Sequence, residues 1–178
     1  MKTLKKIAVL ALMLFTTDAF AADMAGLIAQ APEQAMTFKR EGDKLFRMGD
    51  TEGAIASYQK AVASDTKLSA AWFNLAIARY TKRDLEGTRE ALEQVIRADA
   101  DDAESHYNLG CLLLYAGDMD KARAHFDKAS HCAQVEPIVS EQLTRATTYL
   151  NFLETCSPSQ RREILRLLQD GLEPIGSN

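Results

Sequence analysis

From Ala35 onward, small and bulky apolar side chains return in the same order every 34 residues, in three gapless blocks that open at Ala35, Ser69 and Ala103. Bulky residues stand at Phe38, Trp72 and His106, with Leu75 and Leu109 following in the second and third blocks, and later in each block at Tyr58, Leu92 and Phe126. Small residues recur at Gly42, Ala76 and Gly110, and again at Ala54, Thr88 and Ala122, the places where two helices must approach closely. Helical spacing of these positions gives each half-block one apolar face, so each block predicts a pair of amphipathic helices. The punctuation agrees. Gly49-Asp50, Arg83-Asp84 and Gly117-Asp118 divide the blocks, and a Gly or Asp suits one helix end and the next helix start. The expected fold is all-α, with helix-turn-helix repeats over 35–68, 69–102 and 103–136.

Beyond the repeats, Pro137 opens one more helix whose apolar face is Val139, Leu143, Ala146, Leu150 and Leu153, expected to pack on the second helix of repeat three. Ser157-Pro158 supplies an N-cap and a first-turn proline for a last helix, with Ile164, Leu165, Leu167 and Leu168 facing inward and Gly171 ending it. Residues 137–171 therefore read as a lid on the open end of the core, with a second arrangement in which the last helix folds into the groove and regulates access. Residues 22–34 read as a mobile lead-in or short extra helix, and 172–178 as a frayed tail.

Trp72-Phe73-Asn74-Leu75-Ala76 and His106-Tyr107-Asn108-Leu109-Gly110 resemble the first helix of the tetratricopeptide repeat, and Gly49–Ala61 resembles its turn and second helix. The resemblance spans about 102 residues. Thr66, Ala100 and Gln134 replace the proline that often closes each repeat, and Arg79 stands where the family commonly places an aromatic residue. A buried guanidinium is costly unless paired, so Arg79 is expected to reach solvent along its aliphatic stem rather than meet a neighbouring carboxylate. The resemblance implies a right-handed α-solenoid with C-terminal capping helices, first helices lining a concave face, and protein–protein interaction as the activity.

In that family the concave face takes five positions from each first helix. Here these are Met36, Lys39, Asp43, Phe46 and Arg47, then Ala70, Phe73, Ile77, Tyr80 and Thr81, then Glu104, Tyr107, Cys111, Leu114 and Tyr115. Repeats two and three thus present an aromatic-aliphatic strip, and repeat one offers Lys39 and Arg47 to an acidic residue or chain end. Asn74 and Asn108 could hydrogen-bond the backbone of an extended peptide. A subtype of the family clamps the C-terminal carboxylates of heat-shock chaperones. Lys39 and Asn74 fit that pattern, but Asp43, Glu104 and Asn108 depart from it, and the clamp is expected to be absent.

The N-terminus changes the picture of where this happens. Lys2, Lys5 and Lys6 precede an apolar stretch from Ile7 to Phe15, and Ala19-Phe20-Ala21 has the small-x-small pattern of a signal-peptidase site, so 1–21 reads as a signal peptide cleaved after Ala21. About nine apolar residues are roughly half a membrane span, so no stable anchor is expected and the mature chain should be periplasmic or secreted. Cleavage removes three lysines and Asp18, moving the formal charge from -4 to -6, which argues against a nucleic-acid partner.

Three cysteines in an oxidising compartment invite a disulfide, but Cys132 and Cys156 flank opposite ends of one helix, on the order of 25 Å apart, and Cys111 sits mid-helix. Free thiols are expected, with intermolecular pairing through Cys156 as the alternative. His131-Cys132 is a weak metal pair, His106 a packing residue, and His125 is expected to face outward. Neither a nucleophile-base constellation nor a phosphate-cradling loop is present, so no enzyme activity, metal or cofactor is expected. The expected function is a scaffold or adaptor for an envelope, secretion or pilus-type assembly, the alternative a chaperone-like holdase; open repeat ends also allow copies to stack as homo-oligomers.

Overall fold

The computed structural model describes residues 31–132 and 134–171, so the expected signal peptide (1–21), most of the lead-in and the tail (172–178) lie outside the described residues. Among the described residues the chain forms eight helices and no strand. They are α1 over 31–47, α2 (Thr51–Ser64), α3 (Ser69–Thr81), α4 (Leu85–Ala98), α5 (Ala103–Tyr115), α6 (Met119–His131), α7 (Pro137–Thr155) and α8 (Pro158–Gly171). Residues 31–34, expected in the lead-in, already belong to α1. Each helix packs on its chain neighbour from α2 to α7, giving the right-handed α-solenoid and its cap. No described helix is long and apolar enough to cross a membrane.

The three turns inside the repeats are copies of one device. The amide of Asp50, Asp84 or Asp118 donates back to the carbonyl of Leu45, Arg79 or Leu113 at 3.0, 2.9 and 2.9 Å, closing the first helix. The same aspartate's side chain then accepts from Gly53, Gly87 or Lys121 and caps the second helix. This geometry needs a left-handed residue just before the aspartate. Gly49 (φ 82°) and Gly117 (φ 86°) adopt it freely, and Arg83 (φ 59°) adopts it at a cost.

Within each pair the small residues serve an aromatic ring or a leucine opposite. A Cβ at Gly42 would lie 2.5 Å from the Tyr58 ring, and one at Gly110 2.6 Å from Phe126, so glycine alone fits beneath an aromatic neighbour. In repeat two the pair is Ala76 and Leu92, both buried. Adjacent pairs are strapped by a ring nitrogen: Trp72 Nε1 donates to Thr66 O at 3.0 Å, and His106 Nε2 meets Ala100 O at 3.2 Å.

Arg79 departs from expectation. Its side chain is 18% exposed and donates to Gly87 O at 2.9 Å, with Glu90 and Asp84 carboxylates at 3.5 and 3.7 Å. The carbonyl of Gly87, the N-cap Asp84 and Glu90 of α4 give the guanidinium partners that leave no reason to reach for solvent.

In the cap, Val139, Leu143, Leu150 and Leu153 are buried and Ala146 half-buried, as the spacing predicts. Arg123 of α6 binds Glu154 at 2.7 Å and Asn151 at 2.8 Å, fastening α7 to repeat three. Arg161 at the start of α8 donates to Leu153 O and Cys156 O at 3.1 and 3.3 Å, satisfying carbonyls at the end of α7. Leu165 is buried in one cluster with Leu114, Leu150 and Leu153, and lies 3.7 Å from where a Gly117 Cβ would stand. Ile164 is half-buried, but Leu167, expected to face inward, is 57% exposed. Leu167 lies about 200° around the helix from Leu165 and so faces away from the core; the side chain of Leu168 lies outside what is described.

Candidate functional site

The expected groove residues divide into three groups. Phe73, Tyr80, Tyr107, Asn108 and Tyr115 are half-buried and Ile77 is 41% exposed, so α3 and α5 present a strip of ring faces and one aliphatic side chain. The strip is continuous across the repeat boundary. Burial pushes the Tyr80 hydroxyl above its ordinary pKa, with Tyr115 and Cys111 of the next repeat close enough to add to the effect. Tyr107 stacks at 6.1 Å from Phe126 in a tilted geometry; burial first, and then its hydrogen bond with the Cys111 thiol, raises its pKa. The Tyr80 and Tyr107 phenols therefore stay neutral at physiological pH, able to donate to a backbone carbonyl.

Leu114 leaves this group. It is 7% exposed, within the core that includes Leu150 and Leu165, because α7 and α8 pack against the end of α5. The cap thus takes one expected anchor out of the groove at its repeat-three end.

The third group lies at the repeat-one end. Phe46 is half-buried against the core of repeats one and two. Lys39, expected to await an acidic partner, instead donates to Asp43 Oδ2 at 2.8 Å, an i,i+4 pair on α1. Asn74 Nδ2 donates to Asp43 Oδ1 at 2.7 Å and the Tyr58 hydroxyl to the same oxygen at 3.0 Å. Arg47 is exposed, and its Nε donates to the Asp43 carbonyl at 3.2 Å. Burial works against ionisation of Asp43, but the bonds from Lys39, Tyr58 and Asn74 outweigh it and hold the carboxyl below its usual range. One N–H of the Asn74 amide is thus committed to a side chain. Sequence reasoning missed this network, although the Lys39 to Asp43 spacing and a tyrosine at a core position in need of a hydroxyl partner were both signals for it.

His125 also departs from expectation. It is half-buried, and its Nδ1 lies 2.9 Å from Nδ1 of His106, with ring centroids 5.2 Å apart. The Ala100 carbonyl can only accept, so with both rings neutral His106 carries its proton on Nε2 and its Nδ1 accepts from His125 Nδ1. Burial, and then the charges of His106 and Lys128, lower the His125 pKa against the opposing pull of Glu93.

Cys111, Cys132 and Cys156 are each free and half-buried; the latter two lie against the carbonyls of Lys128 and Phe152. Among the described residues no three His, Cys, Asp or Glu side chains gather in a form that could hold a metal ion.

Repeated helix hairpins packed in sequence define an α-solenoid, with half-buried rings along α3 and α5. Two family profiles match in succession, one described as TPR repeat over residues 42–83 and one as tetratricopeptide repeat over residues 84–136. The chain belongs to the tetratricopeptide-repeat family. Its curated relatives include a TPR repeat-containing protein of Methanocaldococcus jannaschii, 31% identical over 47% of this chain and 14% of that protein. A TPR repeat-containing thioredoxin of Arabidopsis thaliana is 25% identical over 69% of this chain and 17% of its own length. The chain therefore spans less than a fifth of either relative. Among solved structures, the TPR domain of P58(IPK) superposes with a TM-score of 0.64 at 18% identity, covering 76% of this chain and 36% of that one. The first TPR domain of Spaghetti (RPAP3), bound to the HSP90 peptide SRMEEVD, gives 0.59 at 15% identity, covering 67% and 95%.

Proposed function

We propose that the chain is an exported adaptor that holds a protein segment against the concave strip of α3 and α5, within an envelope, secretion or pilus-type assembly. The observation that carries the reading is the run of half-buried Phe73, Tyr80, Tyr107 and Tyr115 with Ile77 exposed among them. Rings left half open bury further apolar area on contact, while neutral hydroxyls bond the partner's backbone at little entropic cost. Solved domains of the same fold hold peptides, as the RPAP3 domain does with SRMEEVD. The leader-like N-terminus supports a role outside the cytoplasm, and the acidic mature chain favours a protein over a nucleic acid.

A photoreactive residue at position 107, activated in the periplasm of cells expressing the full chain, tests the adaptor reading. One discrete adduct is expected, weakened roughly tenfold by Phe73→Ala, the size of a central aromatic anchor. A ladder of unrelated clients would replace the adaptor with a holdase, and the absence of any adduct would remove the strip as the binding surface.

A further inference from the structure

Donors from three different helices converge on one carboxylate at the repeat-one end of the groove. Lys39 Nζ of α1 lies 2.8 Å from Asp43 Oδ2, while Asn74 Nδ2 of α3 and the Tyr58 hydroxyl of α2 lie 2.7 and 3.0 Å from Oδ1. Lys39 and Asp43 keep 20% and 29% of their side-chain surface, so the constellation opens to solvent and is not sealed in the core. A cation set beside neutral N–H and O–H donors is what any carboxylate requires, whether a peptide's chain end or an Asp or Glu side chain.

We propose that Asp43 is the built-in occupant of a carboxylate site, shutting it to carboxylates of a partner and making the groove select segments that are neutral or basic at this end. The proposal deepens the groove reading and rests on it. An incoming carboxylate meets donors already engaged and, beside them, the charge of Asp43, which repels it. Asp43 also holds its place on favourable terms, since it sits one helical turn from Lys39 and bonds it without the loss of freedom that a separate molecule suffers on binding. Arg47, the other cation here, turns its Nε onto the Asp43 carbonyl. Glu104, exposed on α5, adds a further negative charge among the groove positions. Deleting the Asp43 carboxylate should leave the donors in place and open the site to an external anion.

Fluorescence anisotropy tests this with the peptide SRMEEVD, labelled at its N-terminus and made both as free acid and as C-terminal amide. The wild type should bind the two forms within twofold of each other, or neither. Asp43→Ala should bind the free acid at least tenfold more tightly than the amide, and Lys39→Ala added to it should abolish the preference. If circular dichroism shows Asp43→Ala unfolded, Asp43→Asn replaces it: the amide oxygen still accepts from Asn74 and Tyr58 while Lys39 is released, and acid preference should rise at least threefold. The proposal is overturned if the wild type already prefers the free acid tenfold, or if the folded variant gains no preference. Phe73→Ala reports separately on the groove: loss of both peptide forms supports the aromatic strip, whereas an acid preference that responds to Asp43 with no effect of Phe73→Ala would retain the carboxylate site and discard the strip.

Discussion

Adding one methyl group at Gly110 should cost the solenoid stability, and that cost should be coupled to the side chain on the facing helix. An alanine Cβ there would stand 2.6 Å from Phe126 Cε1 and 2.7 Å from Cδ1, about 1 Å inside ordinary carbon contact. The ring has nowhere to retreat, since Phe126 is 2% exposed and Ala122 and Ala129 beside it on α6 are fully buried. Overpacking costs about 1–3 kcal/mol, and a ring with no room to retreat puts this site in the upper half, about 2–3 kcal/mol, offset by about 1 kcal/mol from the better helix propensity of alanine. The net loss should be about 1–2 kcal/mol, lowering Tm by roughly 3–8 °C. Repeat two shows the remedy, because there the same pair of positions holds Ala76 and Leu92. Phe126→Leu alone should cost about 1–2 kcal/mol through the void it leaves above Gly110, yet Gly110→Ala with Phe126→Leu should lose less than the sum by at least about 1 kcal/mol. Urea unfolding followed by circular dichroism on all four proteins measures the coupling. Additivity within about 0.5 kcal/mol, or a Gly110→Ala protein as stable as the wild type, would refute the packing argument.

Arg79→Ala should destabilise by about 1–2 kcal/mol, and Arg79→Lys should fail to restore it, since an ammonium cannot reach Gly87 O and two carboxylates together; thermal melts of the three proteins decide this. Arg83→Gly should stabilise by about 0.5–1 kcal/mol by relieving a left-handed backbone at φ 59°, and an unchanged or lower Tm would show that the Arg83 side chain outweighs the strain. His125 should make stability depend on pH. The folded pKa of His125 lies below its unfolded value of 6.5, so the unfolded chain binds the proton more readily. Stability should be full above pH 6.5 and fall as the pH drops from there toward the folded pKa, with a steeper loss in the wild type than in His125→Gln when urea midpoints at pH 7.5 and 5.5 are compared.

The repeats were legible because helix pairing leaves marks at fixed spacing: a small residue under each large one, and a Gly or Arg before an Asp at each turn. The cap could be read for the same reason, Val139 to Leu153 forming one face. Contacts between repeats were harder to see. Asn74 meets Asp43 across 31 positions of sequence, and whether two such side chains touch depends on the rotation of one hairpin over the next, which no periodicity encodes. Leu114 sits at a groove position by register, yet the returning α7 and α8 bury it, a consequence of where two later helices land. Arg79 and His125 were misjudged because helical facing was read along each helix alone, without the partners on the helix alongside.

Trp72, in the central repeat, is the chain's single tryptophan, and its indole is strapped to Thr66 at the end of repeat one. Its emission therefore watches the middle of the array while circular dichroism watches every helix at once. In an array whose repeats touch only their neighbours, the two signals need not change together. Coincident transitions would mean that the three hairpins and their lid unfold as one unit. Ellipticity lost while the indole spectrum holds would mean that the ends fray first and the centre survives them.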